Sequence, residues 1–377
     1  MSDFPPGEAA ARERLDRVDP VAYARSRNHL TGAVSRLSPY ITHGVLSVPE
    51  VWAAVRERHR IDLTHRFAME LGWREFFHHA WRHEGDRILT SLHPGPLPDT
   101  AYSQALPLDI LEARTGIPVI DRAVQELRTT GWLHNHARMW FASYWVHVRK
   151  IHWRVGADWM FGHLLDGDLA SNHLSWQWVA GTGSSKPYLF NAENVARFAP
   201  IDWHSPGSVN DTTYERLDQL ARTPASSPGG TAWDASARIG SPSALEAADP
   251  DLCSMPPFSI DRADPVDLEG AWMIHPWALA APASGRRGIG VFVADFHRRW
   301  PWSERRWRFV FDSMRRLTDR IVWCEAPPPA TADTVANPHL GDWLRPGQGQ
   351  PVPRLFADPD RRCRSFSAYW RQVGPDR

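Results

Sequence analysis

The chain has 377 residues, and its 43 lysines and arginines balance 43 aspartates and glutamates. A net charge of zero excludes a uniformly basic nucleic-acid binder, although it allows a local basic face. The hydrophobic share of 42% and the charged share of 23% are those of a globular protein, long enough for one large domain or two smaller ones.

Neither the cysteines nor the apolar runs indicate an oxidising compartment or a membrane. The three cysteines, Cys253, Cys324 and Cys363, follow neither a metal-binding spacing nor a disulfide framework. The first residues lack the basic-then-apolar pattern of a secretion signal, and no run approaches the roughly 18 apolar residues that a membrane span needs. We therefore expect a cytoplasmic protein with no membrane span.

The first half of the chain has the pattern of successive helices. Apolar residues recur at helical spacing in 48–58 and 64–83, and residues 119–186 contain no proline. Within that span, 139–148 is apolar on nearly all sides, which predicts a buried helix. Because strand-like alternation is almost absent before residue 200, we predict a helical domain over residues 1–205.

The second half has a different composition. Residues 206–285 are rich in proline, glycine and serine, which predicts a loop-rich connector. After it, 289–295 has the pattern of a buried strand, Ser303 is a good N-cap for an amphipathic helix, and 320–324 predicts a second strand. We therefore expect a mainly α fold that ends in a small α/β-like unit over residues 286–377.

A tryptophan excess and four polar clusters indicate a ligand site. The 20 tryptophans outnumber the 15 phenylalanines, which suggests stacking on a flat ligand or electron transfer besides packing. The first cluster, Ser-Arg-Leu-Ser-Pro at 35–39, places two hydroxyls before a helix, which suits either a phosphate anion or a plain helix cap. In the second cluster, Glu70, Trp73 and Arg74 share one face of a helix. They form either a polar ligand pocket with a stacking wall or a structural Glu–Arg ion pair beside a core tryptophan.

The third and fourth clusters combine amide, guanidinium and carboxylate groups. Asn135 and Arg138 share a face just before the apolar helix, so burying them requires polar partners, from a heteroaromatic ligand or from other side chains. Asp166, Asp168 and Asn172 follow, with a spacing that matches no metal-binding loop. We predict that Asp166 pairs with Arg138, which leaves Asp168 and Asn172 to bond the edge of a ligand.

Together the four clusters resemble the FAD-binding helical domain of the photolyases and cryptochromes, over roughly residues 20–200. The segments that carry the resemblance are Thr-Gly-Ile-Pro-Val-Ile-Asp at 115–121, Trp-Leu-His-Asn-His-Ala-Arg-Met at 132–139, and Leu-Asp-Gly-Asp-Leu-Ala-Ser-Asn at 165–172. The resemblance implies a flavoprotein with FAD inside a helical bundle. Nothing before residue 20 resembles the family's usual antenna domain, so we do not expect a second, light-harvesting chromophore.

The resemblance also implies a set of FAD contacts. Asn135 should face the flavin N5 atom, and Arg138 and Asp166 should form a buried pair beside the ring. Trp176 should be nearest the flavin in an electron-transfer chain, with Trp153 as the next relay. The other implied cofactor-binding residues are Tyr23, Ser35, Leu37, Ser38, Arg74, Asp168 and Asn172.

For a DNA substrate, the resemblance implies a cavity that receives a flipped-out pyrimidine dimer, with no metal. Glu70 would bond the pyrimidine edge, and the tryptophans would offer flat faces for stacking. The implied catalytic residues are Glu70, Asn135, Met139 and Trp178. The implied substrate-binding residues are Arg27, Trp73, His136 and Trp178.

Three functions are compatible with this resemblance. The first is light-driven DNA repair, in which excited reduced FAD gives an electron to a cyclobutane pyrimidine dimer in damaged DNA; Met139 and Glu70 favour that lesion over the (6-4) type. The second is a cryptochrome-like blue-light photoreceptor, whose proline-rich segment could contact a protein partner. The third is a flavoenzyme redirected to a small-molecule substrate.

Overall fold

The computed structural model describes residues 3–225, 249–282 and 286–374 of the chain. In these residues, helices dominate the first part. They are α1 (Glu8–Asp16), α2 (Pro20–Ser26), α3 (Ser38–Thr42), α4 (Val48–His59), α5 (Arg66–Glu84), α6 (Leu108–Leu111), α7 (Pro118–Thr130), α8 (Asn135–Ser143), α9 (Trp153–His163), α10 (Leu169–Ala180), α11 (Ala192–Phe198) and α12 (Tyr214–Ala221). Shorter turns of 3-10 helix are Gly85–Leu89, Asp99–Ala101, Ile201–Trp203, Pro265–Leu268 and Pro338–Trp343.

The C-terminal part mixes strands and helices. Its strands are β1 (Leu252–Cys253), β2 (Asp261–Ala263), β3 (Trp272–Ile274), β4 (Gly288–Val293), β5 (Trp302–Ser303), β6 (Ile321–Cys324), β7 (Val335–Ala336) and β8 (Gln350–Pro351). Its helices are α13 (Ala294–Arg299), α14 (Glu304–Arg315) and α15 (Phe366–Val373). None of the helices in the described ranges is both long enough and apolar enough to cross a membrane.

The helices predicted from apolar periodicity are confirmed. The segment 48–58 forms α4, which starts at a capping box between Ser47 and Glu50, and 64–83 forms α5. The apolar segment 139–148 is buried over most of its length; it forms the end of α8 and a π-helix, Tyr144–Val148. The first strand of the described residues begins at Leu252, so the N-terminal part is helical as expected.

The predicted β-α-β unit is also confirmed. Strands β4 and β6 are parallel neighbours, and α14 lies between them in the chain. Ser303 caps the start of α14, where its side chain accepts a hydrogen bond from the Arg306 N–H group. The full sheet has four parallel strands in the order β2-β6-β4-β3. Strands β2 and β3 come from 206–285, the range predicted as a connector, because strands of three residues are too short to show a periodic pattern.

The sheet and the N-terminal helices share one hydrophobic core. Buried residues of that core come from α1, α4 and α5, from the loop before α10, and from both faces of the sheet, with Phe4, Val51, Leu165, Phe292 and Trp323 as examples. A second core lies among α7, α8, α9 and α10. The α/β unit therefore packs as part of the molecule, against the helices that carry the predicted site.

Gly131 ends α7, and its carbonyl accepts a hydrogen bond from the Leu165 N–H group, next to Asp166, at 2.7 Å, so we expect alanine there to be costly. Gly131 has a φ of 72°, and an added Cβ would lie 2.7 Å from Leu165 Cγ. Gly116 provides a matched control, because its φ is 74° but its Cβ would meet nothing within 4 Å. We expect Gly116→Ala to cost about 1 kcal/mol of unfolding free energy through backbone strain. Gly131→Ala should cost roughly 1–3 kcal/mol more through overpacking.

Chemical denaturation of the two variants measures this difference directly. Equal losses of unfolding free energy in Gly131→Ala and Gly116→Ala would show that the contact with Leu165 does not destabilise the alanine variant.

Candidate functional site

The site is centred on the short loop between α9 and α10, which carries two carboxylates. Asp166 accepts hydrogen bonds from Arg138 Nη2 at 2.8 and 3.0 Å, so the predicted pair is present. Arg138 Nε donates to the Leu133 carbonyl at 2.8 Å, which fixes the guanidinium plane. The Asp166 side chain is 5% exposed and that of Arg138 24% exposed, so a buried carboxylate supports an accessible cation.

Asp168 is the second carboxylate, and its side chain is almost fully buried. One oxygen caps α10 by accepting from the Ser171 N–H group at 2.8 Å, and the other accepts from His78 Nε2 at 2.9 Å. Burial alone would raise the pKa of Asp168, but the charge and hydrogen bond of His78 and the charge of Arg74 outweigh it and hold that pKa well below its usual value. Asp168 is therefore a carboxylate at neutral pH.

Arg74 connects the Asp168 carboxylate, through Thr42, to the backbone of Asp166. Its Nη2 lies 3.9 Å from Asp168 Oδ2, and its Nη1 donates to Thr42 Oγ1 at 3.1 Å. Thr42 Oγ1 donates in turn to the Asp166 carbonyl at 3.4 Å. Because the Arg74 side chain is 21% exposed, it presents a second accessible cation at the site.

The turn predicted to hold phosphates lies at the start of α3. Ser35 Oγ accepts from the Leu37 N–H group at 3.4 Å, and Ser38 Oγ accepts from Trp132 Nε1 at 3.3 Å. Both serines are partly exposed, whereas the Leu37 side chain is buried in the core. Tyr23, on α2, lies edge-on to a phenylalanine of α5 and is partly buried.

Several predicted residues occupy the accessible side of α8 and α10. Asn135 is exposed, and its Nδ2 lies 3.5 Å from Met139 Sδ. Trp178 is 41% exposed beside Tyr188, with ring centroids 5.5 Å apart. His136 Nδ1 lies 2.5 Å from the carbonyl oxygen of Asn28, in the loop after α2.

Asn172 faces inward instead. Its side chain is buried, and Nδ2 donates to the Ala157 carbonyl of α9 at 2.8 Å. This bond occupies one amide proton and orients the side chain, while the bonds to Ser171 and His78 occupy Asp168. The two residues predicted to bond a ligand's edge are thus both already engaged within the protein.

Glu70 and Trp73, which both lie on α5, contact different neighbours. Glu70 pairs with Arg66 at 2.8 Å and with Arg27 at 3.4 Å, rather than with Arg74. Trp73 stacks face to face on Phe366 of α15, with ring centroids 4.0 Å apart and an interplanar angle of 11°. One wall of the predicted substrate cavity is therefore covered by α15.

The predicted electron relays, Trp176 and Trp153, both lie in the second core but have different immediate neighbours. Trp176 is buried and packs edge-on against Trp145, with ring centroids 6.1 Å apart. Trp153 is also buried; its Nε1 donates to Ser91 Oγ at 3.0 Å, and its ring lies 6.4 Å from that of His173.

Sequence reasoning missed three residues that complete the site. His78 lies four residues after Arg74 on the same face of α5, so helical spacing could have identified it. Thr42 could have been found as a polar residue at the end of the helix after the serine turn. His339 accepts a hydrogen bond from the Leu169 N–H group at 3.1 Å. The two residues are 170 positions apart, so no local sequence pattern predicts this contact.

Comparisons with known proteins identify the central part of the chain. A family model described as the FAD binding domain of DNA photolyase matches residues 67–202. The chain is 34% identical over 211 residues to a deoxyribodipyrimidine photo-lyase of Synechococcus, a match covering 51% of this chain and 43% of that protein. It is 31% identical over 232 residues to a cryptochrome DASH of Idiomarina loihiensis, covering 58% and 52%.

A solved structure gives a similar match. The crystal structure of a bacterial class III photolyase from Agrobacterium tumefaciens is 30% identical, with a TM-score of 0.46, over 52% of this chain and 43% of that chain. The chain thus spans about half the length of the curated relatives it matches.

Replacing Asp168 by asparagine should remove a pH-dependent contribution to stability. The folded pKa of Asp168 is depressed, so its contribution is present above the unfolded pKa, about 4, and is lost as the pH falls further. Asparagine can still cap α10, so Asp168→Asn should lose on the order of 3 kcal/mol at pH 7, with a deficit that shrinks below about pH 4.

Urea unfolding, measured at intervals of about one pH unit between pH 3 and 7, tests this expectation. Asp202→Asn is the control, because Asp202 pairs with Arg122 at the surface, where both side chains are about half exposed. A deficit that stays constant down to pH 3 would contradict an ionised Asp168.

Proposed function

This chain belongs to the photolyase and cryptochrome family of FAD-binding proteins, and from that membership we propose that it uses blue light to split cyclobutane pyrimidine dimers in DNA. The matched domain includes Arg74, Arg138, Asp166 and Asp168. The proposal extends to the whole chain what the names of its relatives say of them.

The polar groups of the site fit FAD. The side chains of Arg74 and Arg138 are both accessible, and each lies beside a buried carboxylate that holds it in place. Accessible guanidinium groups suit the two phosphates and the negative charge of a reduced flavin ring. The partly exposed hydroxyls of Ser35 and Ser38, at the start of α3, add neutral donors of the kind that phosphate oxygens accept.

The chain's own groups have separable tasks in this proposal. Bound FAD, when reduced and excited by light, would supply the electron for dimer cleavage. Asp166 orients Arg138, and Asp168, which His78 holds by a hydrogen bond, lies within ion-pair distance of Arg74. Their cationic field favours negative charge at the cofactor site in a low-dielectric interior.

The observation that carries the repair proposal is a set of accessible side chains on α5, α8 and α10, two of which also carry these arginines. Asn135, Met139 and Trp178 are at least partly exposed on α8 and α10, and the Glu70 side chain is 31% exposed on α5. Apolar and aromatic side chains with one carboxylate suit a flipped-out pyrimidine dimer, because its rings can stack on them and Glu70 can accept from a pyrimidine N–H group.

The contact between Trp73 and Phe366 favours a second candidate, a cryptochrome-like photoreceptor. The α15 helix covers one face of the Trp73 ring, which the repair proposal assigns to the lesion cavity. A photoreceptor keeps the flavin but needs no open cavity, so a filled wall is expected of it.

A light-dependent repair assay tests the proposal. FAD-loaded, reduced protein is illuminated with UV-damaged oligothymidine, and the return of thymine absorbance is compared with a dark sample. We expect recovery only in the light. Glu70→Gln should slow it about tenfold or more, because a hydrogen-bond acceptor for the pyrimidine is weakened.

The matched control is Glu13→Gln, which removes a surface carboxylate that pairs with Arg17. It should repair at the wild-type rate, and both variants should retain FAD. No recovery from FAD-loaded, reduced wild-type protein would reject repair of this lesion. Flavin photochemistry in that same inactive sample would support the photoreceptor.

A further inference from the structure

The loop that carries Asp166 and Asp168 is held by a buried arginine from the α/β unit. Arg306, on α14, is fully buried, and its two terminal nitrogens donate to the carbonyls of Phe161 and Gly167 at 2.6 Å each. These carbonyls lie on either side of the turn that leads from α9 to the carboxylates. Arg306 therefore fixes both ends of that turn.

The surroundings of Arg306 are shaped for a guanidinium. Its Cζ atom lies 4.1 Å from the centroid of the Trp302 ring and 4.5 Å from that of Phe161. A Cβ on Gly167 would lie 2.4 Å from Arg306 Nη1, so the close approach requires glycine between the two aspartates. Burial lowers the pKa of Arg306 to about 9, against the opposing charges of Asp166 and Asp168, so the group stays cationic at neutral pH.

A histidine from the same unit holds the next residue along the chain. His339 Nε2 accepts from the N–H group of Leu169, the first residue of α10, at 3.1 Å, and lies 3.7 Å from Asp168 Oδ2. Its Nδ1 donates to Asn337 Oδ1 at 2.7 Å. The imidazole also stacks on Trp277, with centroids 4.6 Å apart and an interplanar angle of 8°.

We propose that the C-terminal α/β unit is a working part of the FAD site, in which Arg306 and His339 are positioning residues that set the places of Asp166 and Asp168. The inference rests on the proposed cofactor site. It goes beyond the family match, which ends at residue 202, whereas both residues lie beyond residue 300.

Packing alone does not account for this arrangement. A fully buried guanidinium whose hydrogen bonds go to backbone carbonyls loses its hydration without a direct carboxylate partner, and apolar side chains join two structural units at lower cost. The carbonyls that Arg306 binds belong to the loop with both carboxylates, and its charge acts on those carboxylates. The position therefore combines a geometric and an electrostatic effect on one site.

Arg306→Met tests the electrostatic and geometric roles together, since methionine keeps apolar bulk and removes the charge and the donors. Arg308→Met is the matched control, because Arg308 lies on the same helix, is exposed and pairs with Glu304. The measurements are FAD affinity by fluorescence titration, the midpoint potential of the bound flavin, and thermal unfolding of the full chain.

We expect Arg308→Met to match the wild type. Arg306→Met should bind FAD about tenfold more weakly or worse, and its bound flavin should have a more negative midpoint potential, because a nearby positive charge has gone. A purely structural role would lower thermal stability alone. Folded Arg306→Met with the affinity and potential of the wild type would overturn the proposal.

The His339 variants decide the matter if Arg306→Met does not fold. His339→Phe keeps a ring against Trp277 but loses the acceptor for the Leu169 N–H group, whereas His339→Gln restores an acceptor. We expect weaker FAD binding and a shifted flavin absorption band in the phenylalanine variant, and substantial recovery in the glutamine variant. Wild-type behaviour of both variants, or equal damage in both, would overturn the proposal.

The same data separate this inference from the proposed function. Wild-type protein that takes up no FAD rejects the cofactor site itself, and the inference with it. Wild-type protein that binds FAD, with variants that bind it unchanged, rejects the inference alone.

Discussion

Two buried carboxylates, two residues apart in one loop, are the constraint around which the structure is arranged. A buried charge is tolerated only with partners, and the loop itself cannot provide them. Asp166 takes Arg138 from α8, and Asp168 takes His78 from α5 and the first turn of α10. Three helices must therefore converge at this point, and residues of the α/β unit bind the backbone around it.

The same arrangement explains why the site has charge to offer a ligand. Each carboxylate is buried, and the guanidinium beside it is partly exposed, so that Arg74 and Arg138 are both accessible cations. Such preorganised charge is what an anionic cofactor needs. The α/β unit contacts this region in two ways. Arg306 binds the backbone of the loop, and Phe366 covers one face of the Trp73 ring. That second contact is the structural reason to weigh a photoreceptor against repair.

Sequence patterns predicted what is local and missed what is distant. Helical periodicity located α4 and α5, because it depends on residues close together in the chain. The polar pattern located the pair of Arg138 and Asp166, because a buried charge needs a partner. The three-residue strands β2 and β3 carry no period that a sequence could show. Glu70 pairs with Arg66 of α5 and with Arg27 just after α2, whereas Trp73 stacks on Phe366 of α15. The face that Glu70 and Trp73 share on α5 therefore did not indicate their different partners.

We expect one FAD to bind beside the pair of Arg138 and Asp166. The most direct test of this expectation is the FAD stoichiometry and affinity of the full chain after reconstitution, for the wild type, for Arg138→Met, and for Arg149→Met, which breaks a comparable pair with Asp109 elsewhere. We expect one FAD per chain in the wild type and in Arg149→Met, and binding weakened about tenfold or more in Arg138→Met. Wild-type affinity in Arg138→Met, or no saturable binding in any of the three proteins, would contradict it.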